Sequence, residues 1–206
     1  MPAELISIHP VNPEPRKIAR VLEVLRQGGI VIYPTDTVYG MGGDIHNART
    51  VERIAQVKGI KPEKSDFSII CNDLSHITDY AKVSDLAFKT MKKILPGPYT
   101  FVLPASNKLP RSLNPRKKTI GIRVPDHAIT REIVSQLGNP IITTSIKLED
   151  DFMEYPTDPE EIFHQFQHKV DLIIDGGPGG LIPSTILDAT SDDIEIIREG
   201  LGEWEE

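Results

Sequence analysis

Cysteine occurs once, at Cys71, so the chain cannot form an internal disulfide or build a site from paired thiolates. That scarcity suits a reducing, cytoplasmic setting. No apolar run approaches the roughly 18 residues that span a bilayer, so no membrane partner is expected. The opening MPAELISIHPVNPEPRK lacks the basic-then-apolar order of a secretory leader. There is no GxSxG elbow, and Cys71 has no local context for a nucleophile, which leaves covalent catalysis without a candidate. GGPGG is not followed by Lys-Ser/Thr, which excludes a nucleoside-triphosphate P-loop, and GMGGD lacks the third glycine of a dinucleotide loop. His164 and His168 stand four apart on an expected helix, yet no third ligand accompanies them, so no protein-bound metal is expected.

What is present is an ordinary globular composition, 39 % apolar and 26 % charged over 206 residues. No stretch is long or bland enough to be a linker, which points to a single domain over residues 1–206. The net charge of −7 hides a segregation of signs. Ser106 to Pro125 holds six basic residues and no acidic one, whereas Leu148 to Glu161 holds seven acidic residues and no basic one. Separated charge lets a protein with a negative total bind an anion locally; scattered solvated faces would give the same counts.

Helix and strand patterns alternate along the chain. Ile18, Val21, Leu22 and Leu25 share one face of a helix over Arg16–Gln27, which Gly28-Gly29 stops. Helices are also expected over Ala48–Lys58, from the Ser84 cap to about Leu95, over Ile129–Leu137, and from Asp158-Pro159 to about His168. GIVIYP, DFSIIC, YTFVLP, TIGIRVP, PIITTS, DLIID, STILDA and IEIIRE read as strands, and TDTVYGMGGD as a loop. The expectation is an α/β fold on a twisted mixed sheet with helices packed on it. Helical crossovers favour parallel pairs, and the last three strands, with no helix between them, require some antiparallel pairing.

Hydroxyls of Thr35, Thr37 and Tyr39 follow a strand end, the edge where α/β sheets bind ligands. Thr119, Arg123, Thr143, Thr144, Ser145, Ser184 and Arg198 also fall within strands or at their ends. Hydroxyls with two arginines suit a small polar substrate beside a phosphate, though strand threonines also serve β-propensity alone.

Taken in order, GGIVIYPTDTVYGMG, a lysine-bearing helix end, LPGPYTFVLPAS, KTIGIRVPDHAI, PIITTSIK, DLIIDGG, PSTILD and IIREG resemble the YrdC-like superfamily from about Arg16 to Gly200. DFSIICNDLS and TTSIKLEDD followed by DPEEI are similar to its YciO branch. The resemblance implies a concave, basic face that binds nucleotides and double-stranded RNA or tRNA. It also implies kinship with threonylcarbamoyladenylate synthases, which condense threonine, bicarbonate and ATP, usually with Mg²⁺, on the way to threonylcarbamoyladenosine in tRNA.

On the positions that match, the resemblance implies nucleotide contacts at Lys58, Thr119, Ser145 and Arg198, and threonine contacts at Thr37, Arg123, Thr143 and Ser184. The acid-free basic stretch and the lysines near it, not the resemblance, give Lys61, Lys64, Arg116, Lys117, Lys118 and Lys147 as the expected RNA contacts. Departures fall at the chemistry. The arginine of the family's Lys-x-Arg is Ile60, with Lys61 next to it, and the asparagine of Ser-x-Asn is Lys147. A histidine that the synthases carry near Ile70 and Cys71 is missing. Nucleotide and RNA binding with the ligand pocket kept is therefore the first expectation, and a working, weak synthase the second.

Overall fold

The computed structural model describes residues 2–61, 67–110, 113, 118–147 and 155–204. These form strands β1 (Glu4–Ser7), β2 (Val31–Tyr33), β3 (Gly40–Asp44), β4 (Ser68–Ile70), β5 (Tyr99–Pro104), β6 (Thr119–Arg123), β7 (Ile141–Ser145), β8 (Leu172–Asp175), β9 (Thr185–Asp188) and β10 (Glu195–Arg198). The helices are α1 (Pro15–Arg26), α2 (Thr50–Val57), α3 (Asp85–Ile94), α4 (Ala128–Leu137) and α5 (Pro159–Phe166), with a 3₁₀ turn at Ile77–Asp79. None of them is long and apolar enough to cross a membrane.

The strands make one ten-stranded sheet in the order β1-β8-β2-β3-β7-β4-β6-β5-β9-β10. β1–β8, β8–β2, β4–β6 and β5–β9 run parallel, and the remaining neighbours antiparallel. Apolar side chains fill both faces. Ile18, Val21, Leu22 and Leu25 of α1 pack with Ile129 and Ile133 of α4 on one face. On the other lie Ile54 of α2, Met91 of α3, and Ile162 and Phe166 of α5. Each of these larger buried side chains contributes about 1.5–3 kcal/mol through removal from water. Helix ends follow the sequence: Ser84 Oγ accepts from the Ala87 N–H at the start of α3, and Gly138, at φ 81°, closes α4 in the left-handed region.

Two strands escape the sequence reading. ELIS is a short edge strand with mostly exposed side chains, so it shows no apolar alternation. GMGGD, read above as loop, is β3, paired on both sides with β2 and β7. Its glycines disguise it, because their bareness serves packing rather than a turn. A Cβ on Gly42 would stand 2.1 Å from the Ile142 carbonyl oxygen and 2.9 Å from the Tyr33 hydroxyl. The bare strand lets the Tyr33 ring lie across it and reach Thr143 on β7, O to O 2.6 Å.

The antiparallel pairing expected among the last three strands is supplied by one pair of them. β9 and β10 are antiparallel neighbours, but β8 lies in the other half of the sheet, between β1 and β2. Residues 176–184 therefore cross over the strand ends. GGPGG belongs to that crossing: the Gly180 N–H donates to the Thr37 carbonyl at 2.8 Å, and the Tyr39 hydroxyl donates to the Gly177 carbonyl at 2.8 Å.

Candidate functional site

Where the crossing segment meets the ends of β6 and β7, a cavity of about 130 Å³ opens. Its lining includes Ser68, Thr100, Arg123, Thr143, Ser145, Ser184 and Arg198. Register explains the convergence. Arg123 pairs with Thr100 on β5, and Ser68 pairs with Gly121 on one side and Thr143 on the other. Side chains of the same strand parity in neighbouring strands point to the same face, so these groups share one patch of the sheet.

Arg123 is the centre of this patch and only 8 % exposed. Its Nη2 donates to Asp36 Oδ1 at 2.5 Å, Thr37 Oγ1 at 2.5 Å and Thr35 Oγ1 at 3.3 Å, while its Nε is buried without a partner. Burial pulls the guanidinium below the ordinary arginine value, and the Asp36 carboxylate works against that shift. Thr100 and Ser184 hydroxyls meet at 2.8 Å, and Arg198 Nη2 donates to the Ser184 carbonyl at 2.6 Å. Arg198 Nε, like that of Arg123, is buried and unpartnered. Both arginines line the cavity, and two guanidinium groups among hydroxyls are suited to an anionic ligand.

Lys58 stands at the border of this patch, just past α2. Its Nζ donates to Thr144 Oγ1 at 2.8 Å and to the Ser145 carbonyl at 3.2 Å. Burial, and then the charge of Lys147, hold its ammonium below the usual lysine value. Lys147 itself is exposed and lies over the Tyr155 ring, 5.3 Å from its centroid.

The site residues expected from sequence divide accordingly. Arg123, Thr143, Ser145, Ser184 and Arg198 line one cavity, with Thr37 bonded to Arg123 and Lys58 to Ser145. Thr119 shares the face of β6 with Arg123 but starts the strand opposite Pro104 and does not line the cavity. Lys61 and Lys118 are exposed. Lys64, Arg116 and Lys117 lie outside the described residues. Asp36, Ser68 and Thr100 belong to the site although sequence reasoning passed over them. Asp36 sits inside the quoted TDTVYG, and its acid between two hydroxyls facing a later arginine was the available clue.

A mixed α/β sheet protein with a small hydroxyl-lined cavity around a buried arginine is the class that fold and site define together. The particular family follows from sequence comparison. The Sua5/YciO/YrdC pattern, described as "Telomere recombination", matches residues 23–200, and the chain belongs to that family. It is 39 % identical to the "Uncharacterized protein YciO" of Escherichia coli, over 98 % of this chain and 97 % of that one. The crystal structure of E. coli YciO superposes with a TM-score of 0.90, covering 98 % of this chain and 97 % of the other. A "Putative threonylcarbamoyl-AMP synthase" of Methanocaldococcus jannaschii is 38 % identical over 96 % of this chain and 93 % of its own. The crystal structure of P. abyssi Sua5 complexed with L-threonine has a TM-score of 0.86 at 29 % identity. It covers 95 % of this chain but 57 % of that longer protein.

Proposed function

We propose that the Arg123 cavity binds L-threonine and that an adenosine nucleotide lies beside it, toward Lys58, Ser145 and Arg198. The observation that carries this reading is the buried Arg123 guanidinium lining, with the hydroxyls of Ser68, Thr100, Thr143, Ser145 and Ser184, a cavity of about 130 Å³. At ~30 Å³ of liquid per water, that space matches about four waters, the scale of a small amino acid. Drug- and nucleotide-sized ligands need about 300–1,000 Å³, so a nucleotide would extend beyond it, toward Lys58 where that side chain meets Thr144 and Ser145. Arg123 supplies a charge-assisted donor for the carboxylate, and the hydroxyls of Thr37, Thr143 and Ser184 orient the polar remainder. The P. abyssi relative bound to L-threonine supports the same assignment.

No carboxylate is among the described residues lining the cavity. In this reading Mg²⁺ arrives with the nucleotide phosphates, which bind it readily. The test is a thermal-shift titration with L-threonine, ATP and both, on the wild type and on Arg123→Ala. Stabilisation by threonine that Arg123→Ala abolishes supports the reading, since a ligand of the folded state stabilises by mass action. No threonine-dependent shift at millimolar concentration refutes it.

Synthase activity is the second reading, favoured by the relative named as a putative threonylcarbamoyl-AMP synthase. It requires threonine held as a nucleophile toward CO₂, and the carbamate then held in line with the α-phosphate, with cations absorbing charge. The cationic end is where this chain departs. Ile60 is 39 % exposed and offers no donor where the family pattern has arginine. A lost charge-assisted contact of about 1.5–3 kcal/mol corresponds to roughly ten- to a hundred-fold in rate. Pyrophosphate release that depends on both threonine and bicarbonate, above the Arg123→Ala background, establishes it.

RNA binding rests on the acid-free basic stretch from Ser106 to Pro125 together with exposed Lys61, Lys118 and Lys147. It calls for double-stranded RNA or tRNA association that weakens steeply as salt rises. A titration without binding at low ionic strength removes it.

A further inference from the structure

The loop between β2 and β3 carries a carboxylate that no role above uses. The Asp36 side chain is 10 % exposed and joins three elements. Its Oδ1 accepts from Arg123 at the end of β6, and its Oδ2 accepts from the Asp126 N–H, at 3.0 Å, ahead of α4. With Thr35 and Thr37 it puts three oxygens around one nitrogen, Nη2, and leaves Nε with none. A guanidinium is planar and its donors are fixed relative to one another, so holding Nη2 also sets the direction of Nε. The two hydroxyls carry no charge, and Asp36 is the only ion-paired partner of this cation among the described residues.

We propose that Asp36 is the positioning residue of the amino-acid site. It locks the plane of the Arg123 guanidinium so that the edge lining the cavity is held in one orientation for an incoming carboxylate. The ligand in this proposal rests on the threonine reading above, while the lock is a property of the free protein. Rigid presentation matters because a side chain with four rotatable bonds otherwise loses that freedom on binding. A group aimed beforehand also makes its bond at full geometry.

Two measurements on the full chain separate the lock from its ligand. In ¹H–¹⁵N spectra of arginine Nε groups, with the Arg123 signal assigned by its loss in Arg123→Lys, the wild type gives a sharp, slowly exchanging peak. Asp36→Asn keeps the shape and loses the charge, and is expected to broaden that peak or speed its exchange at least tenfold. An unchanged peak overturns the proposal. In calorimetric titration with L-threonine, Asp36→Asn is expected to weaken binding at least tenfold, but less than twofold further in the Arg123→Lys background. Equal losses in both backgrounds mean that Asp36 does not act through Arg123, and also overturn it. A wild type that shows the lock but binds no threonine upholds the lock and refutes the amino-acid reading. Should Asp36→Asn fail to fold, Asp36→Glu keeps the charge and shifts it by one methylene. A displaced Arg123 signal then supports the proposal, and a wild-type signal with wild-type affinity defeats it.

Discussion

Deleting the arginine at the centre of the cavity tests the electrostatics most directly, because it separates the stability of the pair from its use. In Arg123→Ala the Asp36 carboxylate stays behind, its side chain 10 % exposed, with the Asp126 N–H still donating to it. Breaking a buried ion pair from one side costs about 3–5 kcal/mol, because the surviving charge is left uncompensated. The surviving backbone bond and the exposed fringe of Asp36 place the expectation at the lower end, about 3 kcal/mol. Truncating both partners removes the stranded charge, so Arg123→Ala/Asp36→Ala should be no less stable than Arg123→Ala alone. The assay is urea unfolding followed by far-UV circular dichroism, with the slope held constant so that midpoints convert to free energies. A single-variant loss below about 1 kcal/mol, or a double variant whose loss is the sum of the two singles, would show that the pair is not coupled in this way.

Other substitutions probe the scaffold around the same cavity. Gly180→Ala places a Cβ 2.3 Å from the Thr37 carbonyl oxygen, so the crossing segment must lift off the threonine loop. A loss of about 1–3 kcal/mol in urea unfolding, with weaker threonine binding, is expected, and wild-type values in both would contradict the brace. Ser84→Ala removes the oxygen that caps α3 and should cost about 1 kcal/mol while leaving ligand shifts unchanged. Cys71 is buried, and burial followed by the Asp73 charge pushes its thiol up to about 12. Its thiolate is therefore scarce below that pH and becomes available only as pH rises toward it or as the chain unfolds. Iodoacetamide at pH 8 should modify the native protein far more slowly than the urea-unfolded one; equal rates would show that the thiol is open.

The sequence reading succeeded where periodicity and end signals agree. The α1 stripe, the Ser84 cap and the Gly138 stop all sit where the apolar spacing and breaker residues put them. It failed at β3 for a physical reason: a strand whose side chains have been removed to admit Tyr33 carries no alternation to read. The antiparallel pairing expected among the last three strands is met by β9 and β10, while the place of β8 was not legible because strand order is set by long-range pairing, which no local pattern reports. The candidate site was legible as a set of residue types through family resemblance, and the buried part of that set does come together. Thr100 and Ser68 were invisible because a threonine or serine inside a strand looks the same whether it serves β-propensity or a ligand. Only the register that brings Thr100 opposite Arg123 distinguishes the two.

The two ends of the site differ in how they are built, and the difference bears on which activity would survive change. At the end proposed for the amino acid, Arg123, Thr37, Thr143 and Ser184 are all buried, and each is fixed by neighbours from a different element. A substitution there disturbs the core as well as the ligand, so that end is held by the requirements of folding. At the end proposed for the phosphates, Lys58 is half-buried and bonded to β7, while Ile60 and Lys147 are exposed and their substitution leaves the core untouched. That freedom matches where the departures from the family pattern fall. Exchanging an asparagine for Lys147 places a second ammonium near Lys58, which adds attraction for an anion but only as a point charge. A chain altered in this manner should keep its affinity for a small carboxylate while its handling of phosphates drifts. Threonine binding and threonine-dependent pyrophosphate release therefore need to be measured separately, because the first can be intact where the second has been lost.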